Sequence, residues 1–141
     1  MTITREVSSE DWSWFAGFFD GEGCVTFSRC GDRNPNVRLV ISQIDDIPLR
    51  WIQYTFGVGK ISKRNDRGSY TFYVSRRLEV FWVLENLLPR LKLPKRQVQV
   101  ERGLTILYRW QRWKNQTKHE RYKEYVRAKG ARARQRKREA E

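Results

Sequence analysis

The chain has little of what builds small secreted domains or zinc modules: two cysteines, one histidine and one methionine in 141 residues. Cys24 and Cys30 stand six residues apart in what reads as one strand, so their α-carbons lie about 20 Å apart and a disulfide between them is excluded. The single histidine, His119, and the lack of any Cys-x-x-Cys pair exclude a structural zinc site, which leaves both thiols and the imidazole incidental. Nothing resembles a Ser-His-Asp or Cys-His set. Gly57-Val58-Gly59 precedes a strand, whereas a dinucleotide loop follows one and opens a helix. No stretch approaches the ~18 apolar residues of a membrane span, and the start MTITREVSSEDW lacks a signal peptide's apolar centre. The expectation is a soluble chain that stays in its compartment of synthesis and has no membrane partner.

Acid is also scarce. Against 29 Lys and Arg stand 16 Asp and Glu, giving a net charge of +13 and a pI near 10.3 on 17.0 kDa. Such a balance points to a polyanionic partner, and nucleic acid comes first because neutralising phosphates releases counterions. An anionic membrane would be read by a basic amphipathic helix with few other features. Charge alone names a partner and not an activity, since ribosomal proteins and plain DNA coaters share it.

What is present suits one domain with a modest core, at 39% apolar residues. Ser8 or Ser9 before Glu10 and Asp11 starts a helix expected to run to about Asp20, with Gly21 and Gly23 as its stop. CVTFSRC and NVRLVISQI alternate as strands around the turn CGDRNPN. Asp45 or Asp46 caps a second helix, with Pro48 in its first turn and Trp51, Ile52 and Phe56 as its apolar stripe, ending at Gly57. The pattern then repeats: GVGKISKR, the turn NDRGS, and SYTFYVS. A third helix spans Leu78 to about Leu88, closed by Pro89, and a fourth begins near Pro94 and runs toward Trp110 and Trp113.

The order helix, hairpin, helix, hairpin, helix, helix is an α+β arrangement with helices on one face of an antiparallel sheet. The other face offers Thr26, Ser28, Arg38, Ser42, Lys60, Ser62, Arg64, Thr71 and Tyr73. It is either an ordinary solvated face or, as its hydroxyls, cations and aromatic ring suggest, a surface for base edges and phosphates in a major groove. From Arg109 onward 13 Lys and Arg face four Glu, a net of +9 that leaves +4 on the chain before it. The expected division is therefore a core over residues 1–108 and a basic helix or tail over 109–141. That tail is expected to be helical to about Lys129, irregular after Gly130, and ordered by phosphate.

One stretch carries chemistry: Phe15-Ala16-Gly17-Phe18-Phe19-Asp20-Gly21-Glu22-Gly23. Asp20 and Glu22 sit at the negative end of a helix, where the macrodipole disfavours them. A divalent cation such as Mg²⁺ relieves this, as would an arginine or plain solvent. Ala16 and Gly17 admit close approach of another backbone, so a twofold copy of the helix would bring two Glu22 carboxylates together.

FAGFFDGEG resembles, in spacing and character, the motif of the LAGLIDADG homing endonucleases, specifically the compact single-motif kind that works as a homodimer. The resemblance runs from about residue 12 to residue 107, through both hairpins and the late segment LPRLKLPKRQ. It implies two helix/β-hairpin repeats that form a curved four-stranded DNA-binding sheet with helices on the other face. It also implies an intron-encoded or intein-like nuclease, located with the DNA of a prokaryote or an organelle. Such an enzyme hydrolyses both strands of double-stranded DNA at a long, nearly palindromic site and leaves short 3′ overhangs.

Carried over by residue, the metal, Mg²⁺ or another divalent ion such as Mn²⁺, belongs to Glu22 with Gly21. Asp20 supports the helix end, and Ala16, Gly17, Phe19 and Asp20 form the dimer interface. Asp45, with Gln43 beside it, would hold the water network, or else merely cap the second helix. The family's late lysine aligns with Pro94, flanked by Lys92 and Lys95, of which Lys95 is preferred. The competing reading is a non-catalytic binder, such as an RNA maturase assisting intron splicing; Trp110, Trp113 and the basic tail suit RNA.

Overall fold

The structure, a computed structural model, describes residues 6–28, 35–64, 68–116 and 118–140. Helix α1 (Ser9–Glu22) starts as its capping signal requires: the Ser8 hydroxyl accepts the Asp11 N–H at 3.2 Å, with Glu10 and Asp11 in the first turn. It runs two residues beyond Asp20, because Gly21 keeps helical geometry and the chain departs only at Gly23, whose N–H still donates to the Phe19 carbonyl. Then follow β1 (Gly23–Ser28), β2 (Asn36–Gln43), α2 (Ile47–Phe56), β3 (Lys60–Arg64) and β4 (Ser69–Val74). Gly57 ends α2 with φ +68°, the left-handed conformation that glycine adopts without penalty. Helix α3 (Arg77–Leu87) passes into a 3₁₀ turn, Leu88–Arg90, before α4 (Pro94–Asn115) and α5 (Lys118–Ala140).

The strands form one antiparallel sheet in the order β1-β2-β4-β3. The two hairpins thus join through β2 and β4, and β1 and β3 lie at the edges. Val25, Val37, Leu39, Ile41, Phe72 and Val74 are buried on one face. Trp12, Phe15, Ala16 and Phe19, at helical spacing along α1, are buried too. An aromatic cluster ties three helices together: the Trp12 ring meets Phe56 at 4.7 Å and Trp82 at 5.1 Å, and Phe15 meets Phe56 at 4.7 Å. Helix α4 approaches closely through Gly103, where a Cβ would come within 3.0 Å of Leu84 and 3.2 Å of Val37. It also covers the free edge of β1, where Gln99 Oε1 accepts the Val25 N–H at 3.3 Å.

The α+β architecture and the four-stranded sheet are as expected. The chain divides into two compact units, residues 1–107 and 108–141. Beyond Gly130 the expected irregular tail is instead continuous helix, α5 reaching Ala140, since Ala, Arg, Lys and Gln are all strong helix formers. Cys30 and the tips of both hairpins, residues 29–34 and 65–67, lie outside the described residues. Among the described residues, no helix is long and apolar enough to cross a membrane.

The junction of α1 and β1 depends on a missing side chain. A Cβ at Gly23 would fall 2.2 Å from Cδ2 of Phe19, a ring fully enclosed in the core. Gly23→Ala should therefore lower unfolding free energy by about 1–3 kcal/mol, the cost typical of overpacking. Urea unfolding of the variant checks this, and an unchanged midpoint would show that the ring is free to move.

Candidate functional site

The sheet register decides which side chains share the open face. Partners across a ladder point the same way, and the structure pairs Thr26 with Arg38, Ser42 with Thr71, Ser62 with Thr71, and Lys60 with Tyr73. Ser28 follows two residues after Thr26, and Arg64 two after Ser62. All nine residues expected on the face lie there. Ser42 Oγ and Thr71 Oγ1 are 3.2 Å apart, and the Arg38 guanidinium lies 4.6 Å from the centre of the Tyr73 ring. Arg38, Lys60 and Arg64 are exposed, and among the described residues no carboxylate shares this face. The same parity adds Cys24, Asn36, Val40 and Ser69, which strict alternation already indicates. Arg102 of α4, whose guanidinium lies 4.5 Å from the centre of the Phe27 ring, belongs to the other side of the sheet, since Phe27 pairs with buried Val37.

At the end of α1 the two acids part company. Asp20 is 7% exposed, and its carboxylate accepts the backbone N–H groups of Lys92 at 2.7 Å and Leu93 at 3.3 Å. It binds the end of α1 to the segment leading into α4, so the expected helix-supporting role is what its contacts provide. Glu22 is exposed and ends the helix. Gly21 lies in the same last turn, where backbone carbonyls lack helical donors. A carboxylate, neighbouring carbonyls and the negative end of the dipole suit a hard divalent cation. Among the described residues, no group of three or more His, Cys, Asp or Glu could hold one within a single chain. Glu22 and Gly21 would hold only part of the ion's shell, the rest falling to water, phosphate or a second copy.

Asp45 is exposed, and its carboxylate accepts the Ile47 N–H at 2.9 Å, so it holds the start of α2. Its neighbour Asp46 is paired with Arg50. Since Gly23 pairs with Ile41, Asp45, four residues beyond Ile41, leaves the sheet at the end where α1 enters it. Lys92 and Lys95 are both exposed, and the Asp20 contacts fix the backbone at Lys92 and Leu93, where α4 is about to begin.

The expected interface residues do not stand together. Ala16 and Phe19 are fully enclosed in the protomer's own core, because they share a helical face with Trp12 and Phe15. They cannot meet a second copy. Asp20 is occupied by its two backbone donors. Gly17 alone of the four is exposed, and with Ser13 and Gly21 it forms a stripe one helical turn apart; a Cβ on either glycine would meet nothing within 4 Å. Ser13 and Gly21 follow from the period of the helix once the apolar face is assigned.

The family model described as LAGLIDADG endonuclease matches residues 15–93, more than half of the chain. Among solved structures, the homing endonuclease I-CvuI in complex with the I-CreI target, with 2 mM Mg and the DNA not cleaved, is 30% identical with a TM-score of 0.63. I-CvuI with its own target and 2 mM Ca is 32% identical with a TM-score of 0.62. Each alignment covers 70% of this chain and 66% of that one, just under two thirds of the I-CvuI chain. The homing endonuclease I-TnaI shares the fold over 91% of this chain and 99% of its own, at 22% identity and a TM-score of 0.61. No curated protein sequence matches the chain.

The Asp20 suture can be tested apart from any activity. Asp20→Asn leaves one acceptor oxygen for two N–H groups and turns an amide donor toward the second. Unfolding free energy should fall by about 1.5–3 kcal/mol, the worth of a hydrogen bond to a charged group. Chemical denaturation measures it, and a loss below about 0.5 kcal/mol, the scale of an ordinary surface substitution, would mean that water satisfies Lys92 and Leu93 equally well.

Proposed function

Because the chain belongs to the LAGLIDADG endonuclease family, we propose that it is a homing endonuclease: a metal-dependent, site-specific enzyme that works as a homodimer and cuts both strands of DNA. One observation carries the reading. A sheet face that bears Arg38, Lys60 and Arg64 and, among the described residues, no carboxylate adjoins a helix end whose exposed Glu22 has, among the described residues, none of the structural duty that occupies Asp20. The face supplies donors and acceptors for base edges and positive charge for phosphates, while Glu22 supplies negative charge where a cation is needed. The longest strand, β2, has eight residues, so the sheet spans about 27 Å, or roughly eight base pairs.

Two copies joined through the Ser13–Gly17–Gly21 stripe would double that footprint and make the site nearly palindromic, since a twofold interface presents one surface twice. They would also bring the two helix ends toward one axis, one Glu22 for each strand. A divalent ion, if bound there, would supply the Lewis acid that polarises the scissile phosphate and acidifies the attacking water. Within this reading Glu22 and the Gly21 carbonyl bind and orient the ion. Asp45 orients water at the same end of the sheet, and Lys95 places positive charge beside the phosphate that gains negative charge during cleavage. The DNA partner confines the enzyme to the compartment that holds its target.

Glu22→Gln keeps shape and removes charge. Specific DNA should still bind, and cleavage in Mg²⁺ should fall by several powers of ten, the scale of lost transition-state electrostatics. Cleavage at the unmodified rate would overturn the metal assignment. Should the unmodified protein bind DNA but never cut it with any divalent ion, the chain is a binder or maturase.

Gly17→Leu fills open space above α1, so circular dichroism should be unchanged while sedimentation shows monomers and double-strand cutting is lost. A variant that remains dimeric would place the interface elsewhere, and a monomeric unmodified protein would remove the dimer altogether.

A further inference from the structure

We infer that the C-terminal helix α5 is a second DNA-binding element, built to lie in the major groove of a duplex with its two flanks against the two phosphate backbones. Residues 108–141 form a compact unit of their own, outside the stretch that matches the family. Within it the end of α4 and the start of α5 are pinned together. The Arg121 guanidinium donates to the carbonyls of Trp113 and Lys114, each at 2.9 Å, and lies 4.2 Å from the centre of the Trp113 ring. It thereby caps the last turn of α4, where the Trp113 carbonyl also accepts the Gln116 N–H at 3.2 Å. Arg112 adds an ion pair to Glu124 at 2.8 Å. These contacts identify the side of α5 that faces α4, namely that of Arg121 and Glu124.

The rest of the helix surface follows from about 100° per residue. Lys123, Arg127, Arg134 and Arg138 fall within an arc of about 60° on one flank. Lys118, Lys129, Arg132 and Arg136 fall within a similar arc on the opposite flank, about 180° away. All eight are exposed. Between the rows, on the side away from α4, lie Tyr122, Val126 and Ala133, with His119 and Lys137 toward the two ends of the strip. Tyr122 is 64% and Val126 48% exposed, and no residue of α5 is buried.

Two cationic rows on either side of a narrow, weakly polar strip match a groove with charged walls and a floor carrying thymine methyl groups. The B-form major groove is about 12 Å wide and admits one α-helix, whereas the deep, narrow major groove of duplex RNA does not. Each row extends over about 22–27 Å, enough to follow several phosphates of one strand. The acids of the helix do not oppose this: Glu124 is paired with Arg112, Glu139 accepts from Gln135 at 3.1 Å, and Glu120 stands in the first turn, where the dipole favours it. Both tryptophans of the hairpin already carry a cation, Lys114 at 5.2 Å from Trp110 and Arg121 at 4.2 Å from Trp113, which disfavours their use as platforms for single-stranded bases.

This inference takes duplex DNA as partner from the proposed function but requires neither Glu22, nor a metal, nor cleavage. The test uses the full chain on a 30-base-pair DNA of arbitrary sequence without divalent ions, reading affinity against salt. Two variants each replace one row of four cations by Gln, a residue of similar helix propensity, and circular dichroism verifies that α5 persists. Each row should lower the slope of log affinity against log salt by about 3–4, at roughly 0.9 per phosphate contact. Loss from one row only would place the helix against a single strand and reject the groove, and no loss from either row would reject DNA binding by α5. Val126→Asp, which sets a carboxylate on the strip between the rows, should weaken binding at least tenfold; unchanged affinity overturns the groove assignment. Equal losses on single-stranded DNA or duplex RNA of the same length would reassign the arm to those ligands.

Discussion

The buried carboxylate of Asp20 is the contact on which the arrangement of the site depends. It stands in the last turn of a helix, where the dipole resists negative charge, and it is retained because two backbone N–H groups from a segment far along the chain point into it. Those bonds set the end of α1 against the entry to α4. Glu22, two residues further, is placed by the same bonds, and among the described residues its own carboxylate has no structural partner. The two acids of one motif thus divide the work: one is desolvated and satisfied, the other is left in water with its charge available.

The sheet shows the same economy at larger scale. One set of alternate residues packs against helices and excludes water, and the other set is left uncovered with hydroxyls, one amide and three cations. A one-residue slip in any strand would exchange the sets, so the core that buries Leu39, Ile41 and Phe72 also fixes where Arg38, Ser42 and Thr71 appear. Stability and recognition are therefore coupled through register. The bare stripe on α1 arises the same way, since burying Trp12, Phe15, Ala16 and Phe19 turns Ser13, Gly17 and Gly21 outward.

Charge is distributed by purpose rather than evenly. The chain before Arg109 is modestly basic, and most of the excess sits from there to the end. In α5 no apolar side chain is buried, and the Arg121 and Arg112 contacts are among those that hold it to α4. A helix with so little core behind it keeps its whole outer surface available to a ligand.

Local rules determined much of this protein. Alternation named the outward residues of all four strands, the capping serine placed the start of α1, and FAGFFDGEG identified the family. These features depend on neighbours within a few positions, where period and propensity act directly. Other features required the folded chain. That Ala16 and Phe19 belong to the core and Gly17 to the surface follows from which side of α1 meets α2 and α3, and the motif read as a string does not carry that. The donors to Asp20, the Gln99 bond at the β1 edge and the cap provided by Arg121 join residues from separate elements, and only tertiary packing brings them within hydrogen-bonding distance. The continuation of α5 past Gly130 is not legible in the sequence because a helix without an apolar stripe has no period to read.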